Sequence, residues 1–283
     1  MALPQVEMRD DAPAHDEPVI RVRHIRKVFG DKTVLQDVNL EVYRGETLVI
    51  LGGSGSGKST LLRLMTGALT SDGGSVEVEG RDVCAMSPSE RDDYRKTIGV
   101  LFQSGALFNS MSVGENVALP LREHTDLAPE TIEIMVKVKL ELVNMREAAE
   151  RLPAEISGGM KKRAGLARAL AMDPRILFYD EPSAGLDPVT STEVDELIIK
   201  LNQVLGVTSV IVTHEMDSAL RVAHRMVLLD RGRFVAAGTP AEMRDSDNPL
   251  VRQFVHGLAT GPLTDRRLGG AYEADLMAID GKL

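Results

Sequence analysis

Lys58 and Ser59 close the run Gly52-Gly-Ser-Gly-Ser-Gly-Lys-Ser-Thr60, which has the spacing G-x-x-x-x-G-K-S. Gly52, Gly53, Gly55 and Gly57 let the backbone fold its amides around an anion without Cβ collisions. Lys58 then reaches the terminal phosphates of a nucleotide, and the Ser59 hydroxyl is a ligand for Mg²⁺. Ser54, Ser56 and Thr60 complete the loop and are counted among its nucleotide contacts. The apolar run Thr47–Leu51 enters this loop and the helix-forming Leu61–Met65 leaves it. A buried strand turning tightly into a helix N-terminus is the setting that phosphate binding requires.

Two carboxylates and two strand-end polar residues belong with that loop. Asp180 ends the apolar run Ile176–Tyr179, where a carboxylate holds Mg²⁺ through water opposite Ser59. Glu181 follows directly and is aimed at the position from which water attacks a γ-phosphate. As general base it contributes about 10²–10⁴ in rate, or about 3–5 kcal/mol. Gln103 and His214 each lie just after an apolar run, Ile98–Phe102 and Val210–Thr213. Ligands of open α/β sheets bind at the carboxyl ends of strands, so Gln103 is placed to contact Mg²⁺ or the attacking water and His214 to donate to the γ-phosphate. His15, His24, His124, His224 and His256 lack such placement and read as surface or packing residues.

A second anion site lies at Ile156-Ser-Gly-Gly-Met160. Ser157 is an N-cap, Gly158 and Gly159 permit close backbone approach, and Lys161-Lys-Arg163 adds positive charge. Two phosphate cradles with a single catalytic carboxylate suggest a nucleotide shared between two subunits.

The elements that must position these groups alternate in type. Val19–Phe29 and Val34–Val42 alternate loosely between apolar and polar, as half-exposed antiparallel strands do. Ser75–Gly80 reads as a further edge strand and Thr97–Gln103 as a short apolar one. From Gly105 to Leu152 the character changes. The Glu/Lys/Leu/Met-rich stretch 129–150 reads as helix with Met135, Val138, Leu142 and Met145 on one stripe, although Val136–Leu142 also alternates like a strand. These residues belong to an inserted α-helical subdomain over about 104–160.

Beyond it come a helix at 160–172, a strand at 176–179, a helix at 189–205, a strand at 209–213 and a helix at 216–223. A hairpin at 226–230 and 234–237 turns across Arg231-Gly-Arg233. Alternating helix and apolar strand means a largely parallel sheet covered on both faces. The expected fold class is therefore α/β, with an antiparallel β-subdomain, the helical insert and a C-terminal tail. Residues 1–18 read as a disordered acidic arm, 19–258 as the main domain and 259–283 as an extension.

Composition excludes several functions. Net charge is −9, and the first 18 residues hold Glu7, Asp10, Asp11, Asp16 and Glu17 against Arg9. An acidic chain lacks the basic footprint of a nucleic-acid binder. Cys84 is the only cysteine, so no intramolecular disulfide forms and a reducing compartment is expected. No apolar run approaches the ~18 residues that span a bilayer, and the acidic N-terminus lacks signal-peptide character. A soluble cytoplasmic protein is expected, with any membrane role supplied by partners.

Six motifs together resemble those of ABC-transporter ATPases. Walker A at 52–60, the Q-loop at Gln103, ISGGM at 156–160 in place of LSGGQ, Walker B at 176–181, the D-loop SAGLD ending at Asp187 and the switch His214 occur in the family order. The resemblance covers roughly Val19 to Leu258. It implies a P-loop NTPase core and a head-to-tail dimer with a second copy of the chain, closing on two ATP. Ser157 and Gly159 of one subunit would touch the γ-phosphate bound by the other. Phe29 matches the aromatic that stacks on adenine, where tyrosine is commoner. Met160 stands where glutamine is usual.

A narrower resemblance rests on Phe102–Phe108, Asn116–His124, the ISGGM variant, Asn248–Phe254 and the tail through Tyr272–Leu276. These stretches are similar to the ATPases of Mla-type phospholipid transporters and other MCE-type systems. They imply an integral-membrane permease, an MCE-domain lipid carrier, a STAS-domain subunit and a place on the cytoplasmic face of the inner membrane. The tail would reach across to the other ATPase. Leu107, Phe108, Met111 and Val113 read either as a groove for a permease helix or as subdomain core. Two alternatives are a non-transport ABC ATPase, opposed by the lack of a basic patch or second cassette, and a catalytically dead regulatory module, opposed by intact Lys58, Asp180, Glu181 and His214.

Overall fold

Loose alternation at the start gives two long antiparallel strands, β1 (Pro18–Phe29) and β2 (Lys32–Tyr43). The turn at Gly45 leads into β3 (Thr47–Leu51), whose five residues are all buried, and β3 runs through the glycine loop into α1 (Lys58–Met65). Next come β4 (Gly73–Val78), the two-residue β5 (Arg81–Asp82), α2 (Pro88–Arg95) and β6 (Ile98–Leu101). The insert holds α3 (Val113–His124) and α4 (Pro129–Leu142). The chain returns through α5 (Gly158–Ala169), β7 (Ile176–Asp180), α6 (Pro188–Leu205), β8 (Thr208–Thr213) and α7 (Met216–Val222). It finishes with the hairpin β9 (Arg225–Asp230) and β10 (Arg233–Gly238), then α8 (Pro240–Arg244) and α9 (Pro249–Val255).

These elements come from a computed structural model that describes residues 17–264. Residues 1–16 and 265–283 lie outside the described residues, and with them most of the acidic arm and of the C-terminal extension, including Tyr272 and Leu276. No helix among the described residues is long and apolar enough to cross a membrane.

Two sheets result. Six strands in the order β10-β9-β3-β8-β7-β6 are parallel except for β10, and four antiparallel strands run β2-β1-β4-β5. Residues 75–80 were expected at a sheet edge, but β4 is interior, because the chain doubles back at Gly80 and Arg81–Asp82 pairs with its outer side.

Alternation along the parallel strands divides the interior in two. Leu51, Leu177, Tyr179 and Ile211 face one core, which continues into the helical subdomain. Ile50, Ile176, Phe178 and Val212 face the other, which continues into the antiparallel sheet.

The insert departs from expectation at three points. First, α4 stops at Leu142, where Asn144 takes a left-handed φ of 55° and a 3-10 turn follows. Its core row is Ile132, Val136 and Leu140, joined by Val143, whereas Val138 of the expected stripe is 52 % exposed and Met145 lies beyond the helix. Two neighbouring rows of α4 are apolar, and contact with α3 and α5 selects between them. Second, α3 forms despite Gly114 and Pro120, under a capping box made by Ser112 and Glu115. Third, Leu107 to Val113 divides: Val113 is core, Leu107 packs against it, and Phe108 is 53 % exposed with its backbone held by the Asn116 side chain.

Candidate functional site: a phosphate loop and its carboxylates

Helix α1 differs from its neighbours at its start. Where α2, α3 and α8 close their own first turns with complete capping boxes, α1 begins at Gly57 with no side-chain cap and no acid in its first turn. The amides of Gly55, Gly57, Lys58, Ser59 and Thr60 take no hydrogen bond among the described residues. An uncapped helix N-terminus with free N–H groups is an anion site by construction. The loop's path depends on glycine at its first position, since a Cβ on Gly52 would come within 2.3 Å of the Leu229 carbonyl oxygen. Gly57 holds a φ of 113°.

Lys58 is buried and turns into the loop. Its Nζ donates to the carbonyls of Gly52 (2.8 Å) and Gly53 (3.3 Å) and lies 3.8 Å from the Glu181 carboxylate. Burial holds its pKa below the usual lysine value, opposed by the charges of Glu181 and Asp180. Phe29, Lys32, Val34 and residues 55–60 line a cavity of about 390 Å³. The Phe29 ring is half exposed beside the loop, with the Lys27 ammonium 5.3 Å from its centroid. A larger cavity of about 630 Å³ lies between α3 and α4, lined by Glu115, Arg122, Ile132 and Val136, and none of the chemistry-bearing residues reach it.

The end of β7 delivers two carboxylates, Asp180 to Ser59 and Glu181 to Lys58. The Ser59 hydroxyl donates to Asp180 Oδ1 at 3.2 Å. Burial raises the Asp180 pKa, the Ser59 bond pulls it back, and the neighbouring Glu181 charge adds to the rise. Glu181 takes a left-handed φ of 51°, an uncommon conformation for a residue with a Cβ. Its N–H donates to Val212 O at 2.9 Å, and its carboxylate accepts from the Thr213 hydroxyl (3.0 Å) and the His214 N–H (3.3 Å). The His214 Nδ1 lies 3.0 Å from both carboxylate oxygens. His214, expected to serve a phosphate, thus meets Glu181 first, through a ring that is half exposed.

Gln103 stands apart. It is exposed in the turn after β6, and no hydrogen bond joins it to Ser59, Asp180 or Glu181. Its turn is clamped to α5: Arg168 donates to the carbonyls of Gly105 and Ala106, and Gly165 lets the Gly105 backbone lie against the helix.

The second cradle opens to solvent. The Ser157 hydroxyl accepts from Met160 N at 3.2 Å, as an N-cap should, and Ser157 and Gly158 are exposed. Gly159 is buried, and its lack of a side chain serves this chain directly, because a Cβ there would come within 2.3 Å of Thr190 Cγ2. Thr190 is in turn bonded to Asp187, which caps α6. Hence Ser157–Gly159 and Asp187 form one packed corner.

Two residues that hold the site were not legible in sequence. Thr213 reads only as the last residue of an apolar strand, yet its hydroxyl binds the Glu181 carboxylate. Lys162 reads as one of three cations adding charge to the second anion site, yet it is 4 % exposed and donates to the Glu181 carbonyl at 2.8 Å.

A metal at this site would have few protein donors. No cluster of three His, Cys, Asp or Glu side chains suited to a metal exists among the described residues. Ser59 and Asp180, a hydroxyl and a carboxylate in contact, suit a hard cation that takes its other ligands from phosphate and water.

Residues 35–184 match the ABC transporter family. The chain is 42 % identical over 260 residues to the intermembrane phospholipid transport system ATP-binding protein MlaF of Escherichia coli strain K12, covering 92 % of this chain and 96 % of that protein. It is 43 % identical over 244 residues to the probable ribonucleotide transport ATP-binding protein mkl of Mycobacterium tuberculosis, covering 86 % of this chain and 68 % of that one. Among solved structures, a dimeric ATP-binding cassette in a post-hydrolysis state bound to ADP and Pi superposes with a TM-score of 0.72 at 29 % identity, over 78 % of this chain and 98 % of that one. The cbiO1 component of an ABC transporter complex from Clostridium perfringens gives 0.76 at 28 % identity, over 84 % and 95 %. This chain belongs to the ABC transporter family, as one of its ATPases.

Proposed function

We propose that this chain hydrolyses ATP to drive phospholipid movement between the inner and outer membranes, as the nucleotide-binding subunit of an Mla-type transporter. The observation that carries the hydrolytic part is the cluster of Lys58, Ser59, Asp180 and Glu181 at the bare N-terminus of α1. In that reading the free amides of Gly55, Gly57, Lys58, Ser59 and Thr60 and the Lys58 side chain bind the phosphates, and Phe29 stacks on the base. Ser59, Asp180 and Gln103 would hold Mg²⁺, which neutralises charge on the phosphate oxygens when bound. Glu181, oriented by Thr213 and His214, accepts the proton of the attacking water. His214, paired with that carboxylate, would also donate to the γ-phosphate.

Ser157, Gly158 and Gly159, beside Asp187, complete the partner's nucleotide site in a dimer. The main domain spans 19–258, with the helical subdomain at about 104–160. The phospholipid assignment is supported by near end-to-end similarity to the MlaF proteins, against partial coverage of the mkl protein. It brings with it a permease, a STAS-domain subunit and an MCE-domain carrier, and a position on the cytoplasmic face of the inner membrane.

Two measurements test this. Glu181→Gln keeps ATP binding while hydrolysis falls about 10²–10⁴-fold, and a dimer accumulates with ATP; near-normal turnover removes Glu181 from its role. Mass spectrometry of the detergent-solubilised complex purified through this chain finds glycerophospholipid; a complex that carries ribonucleotide instead would overturn the lipid assignment.

A further inference from the structure

Lys162 lies on α5, five residues past the N-cap Ser157 and therefore about 7.5 Å along the helix axis. It is 4 % exposed, and its Nζ donates to the backbone carbonyl of Glu181 at 2.8 Å. A lysine is seldom buried without a partner, and here the partner is the peptide of the proposed general base. That peptide follows a residue held at a φ of 51°. A left-handed residue with a side chain persists only where its surroundings over-determine it.

The Glu181 carbonyl also accepts from the Ala184 N–H at 3.3 Å, within its own turn, and Lys58 lies 3.8 Å from the carboxylate; the remaining restraints come from two elements. Val212 O, the Thr213 hydroxyl and the His214 N–H all come from β8 and the residue after it. Among the described residues Lys162 alone bonds the Glu181 backbone from a helix, and the N-terminus of that helix, just before Lys162, presents Ser157, Gly158 and Gly159. β8 fixes where Glu181 sits, and the shorter of the two bonds to its carbonyl, from α5 at 2.8 Å, helps to set how its peptide is turned.

We propose that Lys162 is a positioning residue for ATP hydrolysis: its bond to the Glu181 carbonyl registers the glutamate against α5, so the helix offered to the partner's nucleotide also sets the angle of the glutamate in its own site. In this role Lys162 acts through Glu181, whose carbonyl it holds. The burial that lowers its pKa to about 8 leaves it mainly charged at neutral pH, which strengthens the bond to the carbonyl. The inference rests on reading Glu181 as the general base.

Steady-state ATP hydrolysis and equilibrium binding of a fluorescent ATP analogue, both on the purified full-length chain, test it. Lys162→Met keeps an unbranched side chain one atom shorter and loses the donor; kcat is expected to fall about tenfold to a hundredfold while KM and analogue affinity stay within about twofold. Lys162→Arg, which can still reach a carbonyl, is expected to recover most of kcat. If Lys162→Met does not fold, Lys162→Gln replaces it, because its donor falls one bond short and the same kcat loss at unchanged KM is expected. Unchanged kcat in the variant that folds, an equal loss in KM and analogue affinity, or no recovery with Lys162→Arg overturns the proposal. Glu181→Gln is run alongside. If it hydrolyses ATP normally, the reading of Glu181 fails; if it is inactive while Lys162→Met is normal, only the role of Lys162 fails.

Discussion

Helices α1 and α5 both begin with glycines, and each has a first turn free of acids. Around α1 the chain gathers a buried lysine, a hydroxyl, two carboxylates and their supports. Around α5 it gathers only donors and a cap, with Ser157 and Gly158 turned to solvent. One end holds reactive groups, and the other holds donors with no reactive group beside them. Such asymmetry suits a site assembled from two copies, because neither end needs to change its own chemistry when they meet.

Three substitutions break or sharpen that contrast. The largest effect belongs to Lys58→Ala, which removes a buried cation bonded to the loop's own carbonyls. Loss of a charge-assisted contact to phosphate weakens ATP binding about a hundredfold, near 3 kcal/mol, in a nucleotide titration. Undiminished binding would mean that the α1 end is no better built for phosphate than the α5 end.

Gly159→Ala comes next, at about 1–3 kcal/mol of stability by chemical denaturation, since its new methyl meets Thr190 Cγ2. Adding Thr190→Ser removes that methyl while keeping the hydroxyl bonded to Asp187 and restores stability. Recovery of hydrolysis in the double variant would mark Gly159 as a packing residue, whereas stable but inactive protein would mark it as a contact for the partner's nucleotide. Ser157→Ala has the smallest effect, about 1 kcal/mol from loss of the cap. ATP binding at α1 should be unchanged, with hydrolysis reduced only where dimers form, as ATPase assays across protein concentration would show.

Legibility in the sequence followed distance along the chain. The glycine loop, Asp180 and Glu181 are local patterns whose backbone setting is itself written in the flanking apolar runs, and they converge as expected. The parallel sheet was legible for the same reason, since β3, β7 and β8 are uninterrupted apolar runs between helices. Burial of Lys162 was not, because a cation in a basic run turns inward only through the packing of α5 beside β6 and its bond to the residue after β7. Nor was the meeting of His214 with Glu181, whose residues are 33 apart and join only when β7 and β8 pair. Within the insert, Pro120 and Gly114 masked α3, and two competing apolar rows hid the core face of α4.

The division of the interior by the six-stranded sheet has a consequence for how the molecule opens. Successive residues of β3, β7 and β8 belong to different cores, so neither layer can separate from these strands without exposing half of each. Their backbone amides should be the last to exchange with solvent deuterium, after those of α8, α9 and the exposed turn at Gln103. The strands that carry the nucleotide loop and both carboxylates would then be the slowest part of the molecule to breathe, while α8, α9 and the turn at Gln103 keep most of its local freedom.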